Sequence, residues 1–224
     1  MPYLYSNEFV QASFKGYSKE LDEKYGFNAA LEWYLDSNAD AAIETNFLDA
    51  STCLELLIDN LLSEEKMDLI LTDEDFKLFY KEICKSADSI LRNLDKDDKT
   101  IDAIKSSLKQ AQRTSFVNKI RLLINYWGIR IEDTKIRVQD IRDVRNEITH
   151  TGRFQINNDA DIKNLIRVNN GLQTLLTRIF LAMLKYDRSY LDYGVQHNSN
   201  GESSEWINFK EVCSKIGKPR FDSE

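Results

Sequence analysis

Proline is nearly absent from this chain: two residues in 224, with only eight glycines beside them. So few turn-formers and helix-breakers exclude a disordered, low-complexity protein and an all-β fold rich in tight turns. Cysteine is equally scarce. Cys53, Cys84 and Cys213 are odd in number and widely spaced, which excludes a disulfide framework and a Cys-x-x-Cys metal clamp. Cys53 and Cys84 stand in apolar helical patterns and read as small core residues. With only two histidines in the chain, no zinc-ligand spacing can be assembled, and no metal site is expected. The glycine loops that cradle nucleotide phosphates are missing, as is the Gly-x-Ser-x-Gly elbow of serine hydrolases, so no cofactor is expected. No stretch approaches the roughly eighteen apolar residues of a membrane span, and the N-terminus lacks a charged-then-apolar leader pattern. A cytoplasmic protein with no membrane association is therefore expected.

What the chain does have is hydrophobic residues at helical spacing, 42% of the total, enough to bury a substantial core. Its net charge of −7 is unevenly spread. Residues 1–112 hold 12 basic and 23 acidic residues, a net of −11, whereas residues 113–224 hold 18 and 14, a net of +4. The most basic segment is 113–153, which contains Arg121, Arg137 and Arg142. General affinity for nucleic acid needs a stronger basic surface. A local groove and a selective substrate fit this pattern better.

Five or six amphipathic helices with short connections are expected, an all-α bundle. Ile43, Phe47, Leu54, Leu57, Ile58, Leu61 and Leu62 trace one long helix. Phe76 to Leu94 trace a second, opened by a Thr or Asp cap in Thr72-Asp73-Glu74-Asp75. Ile101 to Leu108 and Phe116 to Trp127 give two more, the latter with Gly128 as a C-terminal stop. A fifth carries Val138, Ile141, Val144 and Ile148, and the last runs from Ile162 to Met183. No alternation suggests a sheet. The expected division is an N-terminal extension or interface segment over 1–40, with a helix at Asn28–Leu35. A helical bundle over 41–187 follows, then a C-terminal extension over 188–224 with a polar loop at Gln196–Ser204 and a short helix near Trp206–Val212.

The fifth helix ends in Arg145-Asn146-Glu147-Ile148-Thr149-His150, with Gly152 just beyond to close it. His is the side chain best suited to exchanging protons near neutral pH. Arg is always charged and grips phosphate oxygens through several donors. On a helical wheel with Ile141 at zero, Arg145 falls at about 40°, inside the apolar sector, and His150 at about 180°. Asn146, at about 140°, faces with His150. Arg145 and His150 thus do not share a face of an ideal helix. Three resolutions are open: Arg145 reaches round on its long stem, the last turn unwinds, or a second subunit completes the site. Plainer roles are open too. Arg145 could be a buried ion pair, with Glu55 as partner, His150 a cation capping the negative helix end, and Asn146 a solvated polar residue. His197 reads as plain surface.

This Arg-x4-His segment resembles the signature of the HEPN superfamily, and within it the ApeA-like HEPN proteins. A second similarity lies in Phe47-Leu48-Asp49-Ala50-Ser51-Thr52-Cys53-Leu54-Glu55-Leu56-Leu57, which looks like the family's early helix with an inward Glu. The similar region runs from about Glu44 to Lys185. The resemblance implies a HEPN-like helical bundle and a metal-independent endoribonuclease active in phage defence. It would cleave RNA by 2′-hydroxyl attack at a site shared across a homodimer. Arg145, His150 and Asn146 would be catalytic and Glu55 supporting, with a regulatory domain or partner protein as a further associate. The charge distribution, apart from the resemblance, assigns RNA binding to Arg121, Arg137 and Arg142 of the basic segment. The toxin–antitoxin branch often places Tyr two residues after the His; Gly152 stands there in this chain, which argues against regulation by modifying that position. The rival expectation is a non-catalytic HEPN-like module that dimerises and binds RNA, nucleotide or a partner protein.

Overall fold

The computed structural model describes residues 16–67, 72–110, 112, 114–134, 136–192 and 205–214. His197, the loop 196–204, Tyr193 to Val195 and the aromatic residues of the first fifteen positions lie outside that range, as do Arg113 and Lys135 of the basic segment. The protein is an all-α bundle, with nine helices and one two-stranded sheet among the described residues.

The spine is a pair of long helices, α3 (Ile43–Glu64) and α8 (Asp159–Met183). From Leu172 onward almost every α8 side chain is buried, the mark of a central helix rather than a surface one. Its start is fixed chemically: the Asn158 side chain accepts from the Ala160 and Asp161 amides at 2.8 and 3.3 Å. On one side of the spine lie α1 (Lys19–Tyr25) and α2 (Phe27–Asp36), separated by Gly26 at φ 63. They bury Leu21, Phe27, Ala30 and Tyr34 in the main core. The Tyr34 hydroxyl meets Thr177 at 2.7 Å, and the Cys53 thiol donates to the Ala30 carbonyl at 3.1 Å. Residues 16–36 therefore pack against both spine helices, and the helix expected at Asn28–Leu35 is the second of two.

On the other side lie α6 (Phe116–Trp127) and α7 (Val138–Thr151). Ser115 caps α6 by accepting from the Asn118 amide, and Gly128 ends it at φ 64. The connection into α7 is anchored by an arginine with no exposure at all, Arg178 in the C-terminal third of α8. It holds Asp133 by two parallel bonds of 2.9 and 2.6 Å, donates to Tyr190 at 2.8 Å and also reaches the Arg130 carbonyl. Burial pushes the Asp133 carboxyl up, but the guanidinium outweighs it and leaves the pKa below its ordinary value. Gly171 lets the same connection approach α8, because a Cβ there would lie 2.7 Å from the Ile136 side chain.

Two features depart from the expectation. The C-terminal segment is not only helix: β1 (Ser189–Asp192) pairs antiparallel with β2 (Glu205–Asn208), and a single turn α9 (Phe209–Val212) follows. A two-stranded ribbon of four residues each offers too little alternation to stand out in a sequence. The unit is tied to the end of α6 by the Arg130 amide donating to Val212 at 2.8 Å, and by buried Tyr190 and Phe209. The second departure is α4 (Asp73–Asn93) with α5 (Asp98–Gln110), a hairpin that packs mainly on itself. Its links are internal: Tyr80 to the Lys105 carbonyl at 3.1 Å and Lys105 to Asp88 at 2.6 Å. Leu78, Phe79, Ile90 and Leu94 remain exposed, and Cys84 is half-buried rather than in the core, unlike Cys53 and Cys213.

Candidate functional site

The helix α7 is regular through Thr151, and Gly152 closes it at φ 78 with its amide donating to the Ile148 carbonyl at 2.8 Å. Unwinding of the last turn is therefore not how Arg145 and His150 come together. Val138, Ile141, Val144 and Ile148 face the core. At the other end, Asp140 is buried to 7% exposure and binds three ways. Its carboxylate accepts from Arg137 at 2.7 and 3.0 Å and from Arg167 at 2.8 Å. It also accepts from the Arg137 amide at 3.4 Å, which pins the first turn. Burial raises the Asp140 carboxyl, and its two arginines more than reverse that, leaving the pKa lowered.

Arg145 is half-buried and turns toward α3, where its Nε donates to Glu55 Oε1. Its guanidinium carbon sits 5.3 Å from the centre of the Phe116 ring, a cation–π contact, and Nη1 stands 3.5 Å from Asn146 Oδ1. Three helices thus contact the guanidinium: α3 through Glu55, α6 through Phe116 and α7 through Asn146. Arg145 also lines an open cleft of about 250 Å³, together with Glu55, Ile58, Asp59, Phe116 and Lys119.

His150 stands apart. It is exposed in the last turn of α7, and no hydrogen bond to it is made among the described residues. It stands five positions on from Arg145, about 140° of helix, so one copy of α7 presents the pair on different sides. Asn146, one turn before His150, is half-buried and lies between the two directions. The loop after α7 is braced by Glu147, whose carboxylate accepts from the Gln155 amide at 2.7 Å.

The three other arginines of the basic segment are not equivalent. Arg137 is held by Asp140, and Arg142 lies along Asp143 with bonds of 2.9 and 2.7 Å, so each cation is already partly neutralised. Arg121 is exposed on α6 and touches only the Asn118 side chain, at 3.3 Å, among the described residues. Sequence reasoning missed Phe116 as a partner of Arg145, and it missed the Asp59–Lys119 pair at 3.1 Å in the same cleft. Neither had a local signal, because both depend on how α6 meets α3. Arg178 did have one, a lone charge inside Leu175-Leu176-Thr177-Arg178-Ile179-Phe180.

A bundle with an Arg–His helix docked on an early helix bearing an inward Glu defines a HEPN-type module. The sequence model of the ApeA-like HEPN family matches residues 48–190, more than half of the chain and inclusive of Glu55, Arg145 and His150, and the chain belongs to that family. Comparison with curated proteins and with solved structures gives no match. Among the described residues, no helix is long and apolar enough to cross a membrane.

Proposed function

We propose that this protein is a metal-independent endoribonuclease acting in phage defence, with a site assembled from two copies of α7. The observation that carries the reading is the state of Arg145. Its guanidinium is held by Glu55 and Phe116, yet the side chain lines an open cleft and stays 32% exposed. A charge so placed is preorganised for an anion rather than consumed by the core.

In the proposed reaction a ribose 2′-oxygen attacks the adjacent phosphorus. The O2′–P bond forms as the P–O5′ bond breaks, giving a 2′,3′-cyclic phosphate and a 5′-hydroxyl. Arg145 balances the charge that builds on the non-bridging oxygens. His150 accepts the 2′-hydroxyl proton while His150 of the partner subunit delivers one to O5′, since one imidazole cannot serve both ends of a single step. Asn146 orients the imidazole one turn away. A closed twofold dimer, the commonest assembly, supplies two of each group.

The divergence of Arg145 and His150 within one chain favours a second reading, a non-catalytic module that binds RNA, nucleotide or a partner protein. One experiment separates the two. Purified wild type, His150→Ala and Arg145→Ala are incubated with total RNA in EDTA, with product ends mapped and mass read by light scattering. Cleavage by a wild-type dimer that both variants lose supports the nuclease. Wild-type cleavage in either variant, loss of activity with EDTA or a monomer at micromolar concentration overturns it.

A further inference from the structure

The cleft beside Arg145 contains more than phosphate chemistry requires. One helical turn along α3 from Glu55 stands Asp59, paired with Lys119 at 3.1 Å. Asp59 is 70% exposed and Lys119 26%. So open a pair contributes little to stability, and nothing else among the described residues binds either group. Ile58 and Phe116 line the same cleft as this pair and Arg145. The cleft therefore brings together a cation for phosphate, apolar and aromatic side chains, and an acceptor beside a donor.

We infer that the cleft is a nucleobase subsite and that the Asp59–Lys119 pair reads a keto base, guanine before uracil. The inference rests on the nuclease reading for its setting and adds which nucleotide lies beside the reacting phosphate. The chemistry is that of the Watson–Crick edge. Guanine presents the O6 acceptor next to the N1–H and N2–H donors. Lys119 donates to O6, and the Asp59 carboxylate accepts the two N–H groups side by side, the fork that a carboxylate fits best. Uracil offers O4 and N3–H, one bond fewer. Adenine and cytosine reverse the pattern, setting an amino group against the lysine and a lone pair against the carboxylate, so the site rejects them as well as failing to bind them. Stacking on Phe116 and on the plane of Arg145 holds any base without distinguishing among them. A volume of about 250 Å³ suits one ring system rather than a larger ligand.

The test reads binding apart from cleavage. Labelled pentaribonucleotides A-A-X-A-A carry a 2′-deoxy central nucleotide, which blocks the attack, with X as G, U, A or C. Their affinity for the intact protein is measured by fluorescence anisotropy. The expected order is G, then U, with roughly tenfold or more between G and either A or C. Asp59→Asn and Lys119→Gln should each shrink that ratio toward one while the thermal midpoint stays in place, which a purely structural pair would not do. Equal affinity for all four bases, a preference that survives Asp59→Asn, or no binding at all overturns the inference. Base preference that depends on Asp59 in a protein that cleaves no RNA keeps the inference and removes the nuclease reading. Cleavage without base preference removes the inference alone.

Discussion

Replacing Glu55 by glutamine removes one charge at the cleft while keeping the side chain's shape. In the native protein the carboxylate accepts a hydrogen bond from the Arg145 Nε–H, and the two side chains are 35% and 32% exposed. At that exposure solvent screens the pair, so its contribution belongs near the surface-pair range, about 0.2–1 kcal/mol, with a hydrogen bond to an amide oxygen left to offset part of the loss. The expected stability cost is about 1 kcal/mol or less, roughly 2–4 °C in Tm for a domain of this size. Activity should respond on another scale. With the neutral amide the guanidinium keeps its charge but loses the anchor that fixes its Nη edge, and misplacement of about 1 Å can cost about a hundredfold in rate. Cleavage of a defined RNA, read as kcat/KM, is set against urea unfolding of the same protein. A fall of tenfold or more in kcat/KM beside a small loss of stability supports Glu55 as a positioning residue. Wild-type kcat/KM, or a loss that only follows the unfolded fraction, would refute it.

Asp133→Asn should be far more damaging to the fold, costing about 3–5 kcal/mol, because it strands the buried Arg178 charge; urea unfolding measures it, and Asp133→Asn with Arg178→Met should recover part of the loss. The folded pKa values of Asp133 and Asp140 are both lowered, so their stabilisation is present above the unfolded carboxylate value of about 3.9 and lost as pH falls through the folded values. Thermal midpoints should accordingly respond little to these groups from pH 8 to 5 and drop below about pH 4. Arg121→Glu should weaken RNA binding and flatten its salt dependence more than Arg137→Glu or Arg142→Glu, whose carboxylate partners already share their charge; filter binding across salt concentrations checks the order. Gly171→Ala should destabilise by about 1–3 kcal/mol despite its better helix propensity, since the new methyl meets Ile136.

Most of the helices were legible in the sequence because each carries its own apolar repeat, and α1 was not, being a single short amphipathic stretch of seven residues. Gly128 and Gly152 both adopt the left-handed turns expected of them, and Thr72 caps α4 by accepting from the Asp75 amide at 3.2 Å. Arg145 was legible as a charge in an apolar sector in need of a partner, whereas an inward Glu55 came only from the family resemblance. What could not be read were relations between elements distant in sequence. Phe116 is one more apolar residue until α6 lies across α3, and Asp59 and Lys119 are 60 positions apart. The β1–β2 ribbon was invisible for another reason: its order comes from Tyr190 and Phe209 filling a gap in the bundle rather than from any local pattern.

The α4–α5 hairpin has a thermodynamic consequence of its own. Within it only Phe76 and Ile101 are buried among the described residues, and neither joins the main hydrophobic cluster. Opening it exposes little apolar surface that is not already wet, so the free energy of that opening lies far below that of the spine. Its amides should exchange with solvent through local excursions while those of α3 and α8 wait for global unfolding. The bundle that holds Arg145 can therefore stay intact while the hairpin frays, lengthens by insertion or is clipped by a protease. In this fold, change at the hairpin is decoupled from the geometry of the cleft.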